Sequence, residues 1–232
     1  MEKTKKLLYK NEISFFKQID NQVLILFGLI SITCIFSDCY FKNSNLTIPF
    51  IITTLISLII TFIGIPQLKK IKIKQIIREE GPKNHFLKKG TPTMGGVFFI
   101  PIGVIISNII YFNKEDYNII LTLSFVIIFF MLIGFLDDFI SLKKQLNTGL
   151  KSNQKIILQL LISLIFIIIC ASNDFIPSSI HITSKVIHTG NLIYPLGIFV
   201  LLAESNSTNS TDGLDGLLSG TSVLIFTGLA VN

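Results

Sequence analysis

Half of the chain's 232 residues are hydrophobic and only 15% are charged, which leaves too little polar side chain to cover a soluble domain of this size. The mean hydropathy of +0.67 makes lipid the expected solvent for much of the sequence. A formal net charge of +6 would suit a nucleic-acid partner, but the basic residues form no separate domain with interleaved aromatics, so that class is set aside. Cys34, Cys39 and Cys170 lie scattered in or beside apolar runs without C-x-x-C spacing, against a disulfide framework or a zinc site.

In chain order, the first apolar run is Gln22 to Phe36. Its leader carries Glu2, Glu12 and Asp20 and no small-x-small site follows, so it reads as a span rather than a cleaved signal. Leu46 to Ile65 reaches the roughly 20 residues needed to cross a hydrocarbon core of about 30 Å. Val97 to Phe112, Ile119 to Leu136 and Ile156 to Cys170 follow. Leu192 to Ala203 is short, and becomes a span only if polar residues of the run from Ser205 to Asp212 continue its helix, as happens where a bundle faces water. Leu214 to Ala230 is the last run. A strand at Phe98 to Ile102 would suit Ile, Val and Phe in water, but an open sheet in a bilayer leaves edge N–H and C=O groups unpaired. The expected fold is therefore all-α, a polytopic transmembrane helix bundle of about seven spans.

Charge gives the orientation. Residues 1–22 hold five Lys and Arg, 67–96 hold eight and 137–155 hold four, whereas 37–45, 113–118 and 171–191 hold one each. With each run crossing once, the positive-inside rule puts the N-terminus and the two richer loops in the cytoplasm, and the same parity puts residues 204–213 there. Of three N-x-S/T sequons, at Asn45, Asn206 and Asn209, two fall on that side, so all are taken as chance.

Three polar clusters converge on this one face. The first is the loop His85-Phe-Leu-Lys-Lys-Gly-Thr-Pro-Thr-Met-Gly-Gly96, where glycines and Pro92 permit a tight backbone and Lys88, Lys89 and two threonines offer donors to phosphate oxygens. It lacks the Walker pattern, and as a Gly/Pro turn at a membrane boundary it could be only a turn. The second is Asp137-Asp138 at the cytoplasmic end of the fourth span, where ionised carboxylates near lipid call for a cation or a wet cleft. Adjacent helical residues point about 100° apart, so both serve one centre only if the helix ends or the cation lies along its edge. A solvated helix end is the plainer alternative, although acidic residues there oppose the macrodipole. The third is the run from Ser205 to Gly216, with Asn206, Asn209, Asp212 and Asp215. Its hard oxygen donors suit Mg²⁺ with a substrate phosphate, it lacks the EF-hand spacing, and its plain alternative is a polar turn.

G-T-P-T-M-G-G at 90–96, D-D at 137–138 and N-x-T-D-G-L-D-G at 209–216, in this order, resemble the phospho-N-acetylmuramoyl-pentapeptide transferase (MraY) family, within the polyprenyl-phosphate hexosamine-1-phosphate transferase superfamily. The resemblance runs from about Leu46 to the end. The segment Asn147 to Lys155 is similar to the family's G-L-x-x-K-x-K stretch, with Asn153 where a basic residue is common. It implies transfer of phospho-MurNAc-pentapeptide from UDP to undecaprenyl phosphate, giving lipid I and UMP with Mg²⁺. Asp137 and Asp138 would act near the prenyl phosphate, one as a base, and Asn209 and Asp212 would line the catalytic centre. Asp212 would also bind the metal, Asp215 the nucleotide, and Lys88 with Thr93 the phosphates. Implied partners are undecaprenyl phosphate, UDP-MurNAc-pentapeptide, the bilayer and a second copy in a homodimer, with no nucleic acid. The implied location is the bacterial inner (plasma) membrane, multi-pass, with the active site facing the cytoplasm.

Two departures from the pattern shape further expectations. Residues 1–45 add an N-terminal segment and helix before the 46–232 transferase part. The family's later G-D-x-G-S motif and His-rich loop have no counterpart here, so the chain reads as a truncated form, inactive alone, whose main Mg²⁺ ligand lies beyond Asn232. Two other classes compete. A transporter would show inverted repeats and midplane acidic residues, and a bare anchor leaves the one-sided clustering unexplained. Within the enzyme class, the alternative is a sibling that transfers N-acetylhexosamine-1-phosphate.

Overall fold

The structure is a computed structural model that describes residues 21–40, 46–70, 94–144, 149–182, 185–211 and 217–231. Apolar stretches bounded by polar loops form seven α-helices among these residues: α1 Asn21–Tyr40, α2 Thr47–Lys70, α3 Gly96–Tyr111, α4 Tyr117–Lys144, α5 Ser152–Ser172, α6 Ile193–Thr211 and α7 Leu217–Val231. The stretch around Phe98 to Ile102 is helical, as the demand for internal backbone pairing in lipid requires. Three helices are long and apolar enough to cross a membrane, over Thr47–Leu68, Tyr117–Lys144 and Ser152–Ser172. The apolar parts of α1, α3 and α7 are shorter. The polar run after Ala203 does continue its helix, because α6 remains helical through Thr211.

The burial pattern is that of a protein solvated by lipid. Ile, Leu and Phe side chains on every helix are exposed, whereas the most deeply buried side chains are Gln159, Ser37 and Ser163. Water would reverse this order. In a bilayer apolar side chains gain nothing by leaving the tails, so small and polar residues turn inward, where they pair and let helices approach. The chain is a membrane protein of all-α class.

Two units divide the chain. In one, Met1–Phe50 with Leu214–Asn232, α1 packs against α7 and the Asp38 carboxylate accepts the Leu46 and Thr47 N–H groups at 2.6 and 2.8 Å. These donors open α2 and have no partner within it, so Asp38 acts as a cap from the preceding helix. The other unit, Ile51–Gly213, holds the polar helix ends and packs α3 on α4, α4 on α5 and α5 on α6. Its core is Val126, Ile133 and Ile162, with Phe125, Phe130, Leu150, Leu158 and Phe166 against them. Between α5 and α6, β1 Ser179–Ile182 and β2 Lys185–His188 form an antiparallel ribbon in the register Ser179 to His188.

Candidate functional site

Asp137 and Asp138 lie inside α4, not at its end, because the helix runs six residues further to Lys144. The geometry in which the helix stops at the pair is thus replaced by one in which both carboxylates project from the helix flank. Lys143 and Lys144 in the last turn offset the opposition between nearby carboxylates and the macrodipole.

What fixes Asp137 is the chain that follows α4. Leu150 N–H donates to Asp137 Oδ1 at 2.8 Å, and Lys155 Nζ sits 3.3 Å from Oδ2. Gly149 makes the approach feasible, since a Cβ there would collide with the Asp137 carbonyl and carboxylate oxygens. Lys151 N–H donates to Gln154 Oε1 at 3.1 Å, which satisfies a backbone donor at the start of α5 and directs the helix away from the loop. Lys155 then lies in the first turn of α5, on the side of Asp137.

One turn deeper, Gln159 is completely buried. Its Nε2 donates to Ser205 Oγ at 2.9 Å, and its Oε1 accepts from Asn206 Nδ2 at 3.0 Å, so a single amide joins α5 to the polar half of α6. Further along, a Cβ at Gly197 would lie 2.8 Å from Ile167 Cδ1. Gln159 therefore faces Ser205 and Ile167 faces Gly197: eight residues forward on α5 match eight back on α6, as in an antiparallel pair. Carried four residues the other way, the same register sets Asn209 level with Lys155, about 6 Å from the Gln159 layer at 1.5 Å per residue. Asn209 is exposed there. Asp137, Lys155 and Asn209, from three successive helices, thus share one end of this unit.

Of the residues singled out in the sequence, Asp137 and Asp138 are neighbours on α4 and Asn209 lies at the level of Lys155 on α6, while Lys88, Thr93, Asp212 and Asp215 lie outside the described residues. The first cluster is seen only at its end, from Met94 to Gly96. Met94 takes the left-handed conformation, with φ 69°, whereas Gly95 is right-handed with φ −58°. A non-glycine residue in that region costs about 1 to 2 kcal/mol, and the Met94 side chain is buried. Lys155 and Gln159 were not singled out, although one is a cation and the other an amide one turn apart at the start of an apolar run. Intramembrane polarity at that spacing was the available signal.

Among the described residues no group of three or more His, Cys, Asp or Glu could hold a metal ion. The donors that Asp138 and Asn209 add are carboxylate and amide oxygens, hard ligands of the kind that divalent cations take together with phosphate and water. Chemically, a cation, two carboxylates and an amide at a lipid boundary can bind a phosphate-bearing headgroup and neutralise its charge.

Residues 120–232 match the family model Glycosyl transferase family 4, and residues 88–100 match Phospho-N-acetylmuramoyl-pentapeptide-transferase signature 1. A phospho-N-acetylmuramoyl-pentapeptide-transferase of Prochlorococcus marinus (strain NATL2A) is 77% identical over 232 residues, all of this chain and 62% of that protein. One from Prochlorococcus marinus (strain MIT 9313) is 47% identical over 208 residues, 89% of this chain and 56% of that protein. One from Synechococcus sp. (strain CC9311) is 43% identical over 196 residues, 84% of this chain and 53% of that protein. The chain therefore spans about three fifths of the length of these relatives.

Proposed function

The chain is a relative, along its whole length, of the phospho-N-acetylmuramoyl-pentapeptide-transferases, and on that premise we propose that its polar helix ends form part of a site for phosphoryl transfer at the cytoplasmic surface of the bacterial inner membrane. The reaction moves phospho-MurNAc-pentapeptide from UDP to undecaprenyl phosphate. In net terms the bond between the sugar-bearing phosphorus and the oxygen it shares with the uridine phosphate breaks, and UMP leaves with the electron pair. An oxygen of the prenyl phosphate takes its place on that phosphorus, giving lipid I. Residues 46–232 supply the transferase part, and residues 1–45 precede it as an additional segment and helix.

Such chemistry asks the protein mainly to position two polyanions and to neutralise their charge. Asp137 and Asp138 meet the prenyl phosphate, one of them accepting its remaining proton, and Lys155 holds the Asp137 carboxylate in place. Asn209 and Asp212 line the reacting centre, Asp215 the nucleotide, and Lys88 with Thr93 the phosphates. Mg²⁺, held by Asp212, would supply further charge neutralisation when bound. The observation that carries the reading is the shared level of Asp137, Lys155 and Asn209 at one end of α4, α5 and α6.

The test joins this chain to the remaining portion of the 77%-identical relative, in membranes free of endogenous transferase. UDP-MurNAc-pentapeptide, undecaprenyl phosphate and Mg²⁺ are supplied, and UMP and lipid I are measured. Product should form, disappear on chelation, and fall by about 100-fold or more in Asp212→Asn at equal protein level. Undiminished turnover in Asp212→Asn rejects the role of Asp212, and no product from the unsubstituted protein rejects the reaction.

A further inference from the structure

A carboxamide buried without partners inside a membrane bundle costs several kcal/mol, so a fully buried glutamine is retained only where its bonds are made. Gln159 makes them on both atoms of its amide, to Ser205 and Asn206, and no atom of it reaches solvent. Ser163, one turn deeper on the same stripe, is equally buried and its hydroxyl has no partner, so burial at this interface does not by itself require a bond to α6. The amide therefore does something that packing alone does not. It sits between two levels, with Lys155 one turn towards the helix start and Ser205 across from it. An unbranched apolar side chain would fill the same space but would leave α6 free to slide or rotate, because apolar contacts have no direction. A slip of one residue along α6 moves Asn209 by about 1.5 Å and turns it by about 100°.

We infer that Gln159 is a positioning residue, which fixes the register and rotation of α6 on α5 so that Asn209 stands level with the Asp137–Lys155 pair. Its effect on turnover rests on the transferase reading above, whereas its effect on register does not. The amide works through α6, because its hydrogen bonds go to Ser205 and Asn206.

Register is measured first, in this chain as it stands. Cys34, Cys39 and Cys170 are replaced by alanine, Lys155→Cys and Asn209→Cys are introduced, and a bifunctional thiol reagent about 8 Å long, close to the interaxial distance of packed helices, joins the pair in membranes. Cross-linking should be efficient with Gln159, fall several-fold in Gln159→Met at equal insertion, and stay unchanged in Ser163→Ala. The pair Ser205→Ala with Asn206→Leu should lower it to the same extent, without adding to Gln159→Met, because all three groups belong to one set of bonds. Turnover is measured second, in the chain joined to the remainder of its 77%-identical relative. Gln159→Met should lower kcat by roughly 10- to 100-fold, as a misplacement of about 1 Å does, with KM for the UDP-sugar within about twofold. Equal cross-linking in Gln159 and Gln159→Met, or additivity of the two sets, overturns the inference. So does an unchanged kcat in a protein that is active before substitution. If that protein makes no lipid I, the transferase reading fails and the cross-linking result alone decides the role of Gln159.

Discussion

At Gly149 a missing methyl group decides whether the loop between α4 and α5 closes on Asp137. A Cβ at this position meets two oxygens of Asp137, one of them backbone, so the clash has no flexible side chain to absorb it. Gly149→Ala should therefore destabilise by about 1 to 3 kcal/mol, the range for overpacking a close contact. Unfolding of the purified protein by denaturing detergent reads this out, and an unchanged midpoint refutes the close approach. Lys155 should behave differently. Its ammonium and the Asp137 carboxylate are 16% and 27% exposed, so water screens the pair and its net contribution to folding is about 1 kcal/mol or less. Lys155→Met should barely move the same midpoint, and a loss above about 2 kcal/mol would show the pair to be fully desolvated. Asp137 and Asn209 stand out in the sequence as candidates because acidic residues and polar runs interrupt apolar surroundings. Gln159 does not, since one polar residue in Ile-Ile-Leu-Gln-Leu-Leu gives no sign of which face it occupies. Met94 was missed for another reason: its neighbours Gly95 and Gly96 are the residues that normally accept a left-handed turn.

The helices themselves follow from the apolar runs, and the departures lie where polar residues decide the boundary. α4 persists past Asp137 and Asp138 because Phe139, Ile140 and Leu142 continue a helical pattern and the terminal lysines suit its C-terminal end. α6 persists through Asn206, Ser207, Thr208 and Asn209, residues with modest helix propensity. Local bonds explain part of this: Ser210 and Thr211 hydroxyls donate to the Asn206 and Ser207 carbonyls, and Asn206 donates to Leu202 O. Burial of Gln159 against Ser205 and Asn206 supplies the rest. A turn at residues 205–211 would leave that amide unpaired. Ser207→Pro should thus be far worse than Ser207→Ala, because it removes one helical donor, crowds the preceding turn and costs about 3 kcal/mol in a helix interior. Ser207 is exposed and its side chain is not part of the amide set. Protease resistance of the membrane-inserted chain should be kept in Ser207→Ala and lost in Ser207→Pro, and equal resistance would mean that the polar half of α6 is dispensable. The ribbon at Ser179–His188 is hard to read from sequence because four-residue strands leave little pattern: Ser-Ile-His-Ile alternates, but Lys-Val-Ile-His does not.

On the scale of the whole molecule, the helix order is consistent with the separation of residues 137–155 from 171–191 that the charge count expects. The count assigns residues 137–155 to the cytoplasm and 171–191 to the opposite side. The helix order separates those two segments by α5, a 21-residue apolar helix of about 32 Å, long enough to cross a bilayer. Nothing in α5 competes with a spanning orientation, since its buried polar groups, Gln159 and Ser163, face inward and its exposed residues include Ile156, Ile157, Leu160, Leu161, Leu164, Ile165 and Ile168. The ribbon must then emerge on the face away from Asp137, and Asn209, returned by α6, on the same face as Asp137. Single cysteines test this in a background where Cys34, Cys39 and Cys170 are replaced by alanine. Lys185→Cys in the exposed β2 strand should react with a membrane-impermeant maleimide in intact cells whose outer envelope is opened. Asn153→Cys at the exposed start of α5 and Thr208→Cys near the end of α6 should react only after the inner membrane is permeabilised. If Asn153→Cys and Thr208→Cys label from opposite sides, α5 and α6 do not form a spanning antiparallel pair, and the common level of Asp137, Lys155 and Asn209 fails with it. If both label from the outside and Lys185→Cys from the inside, the helix pairing stands but the orientation is reversed, and a site for a cytoplasmic nucleotide sugar is then on the wrong face.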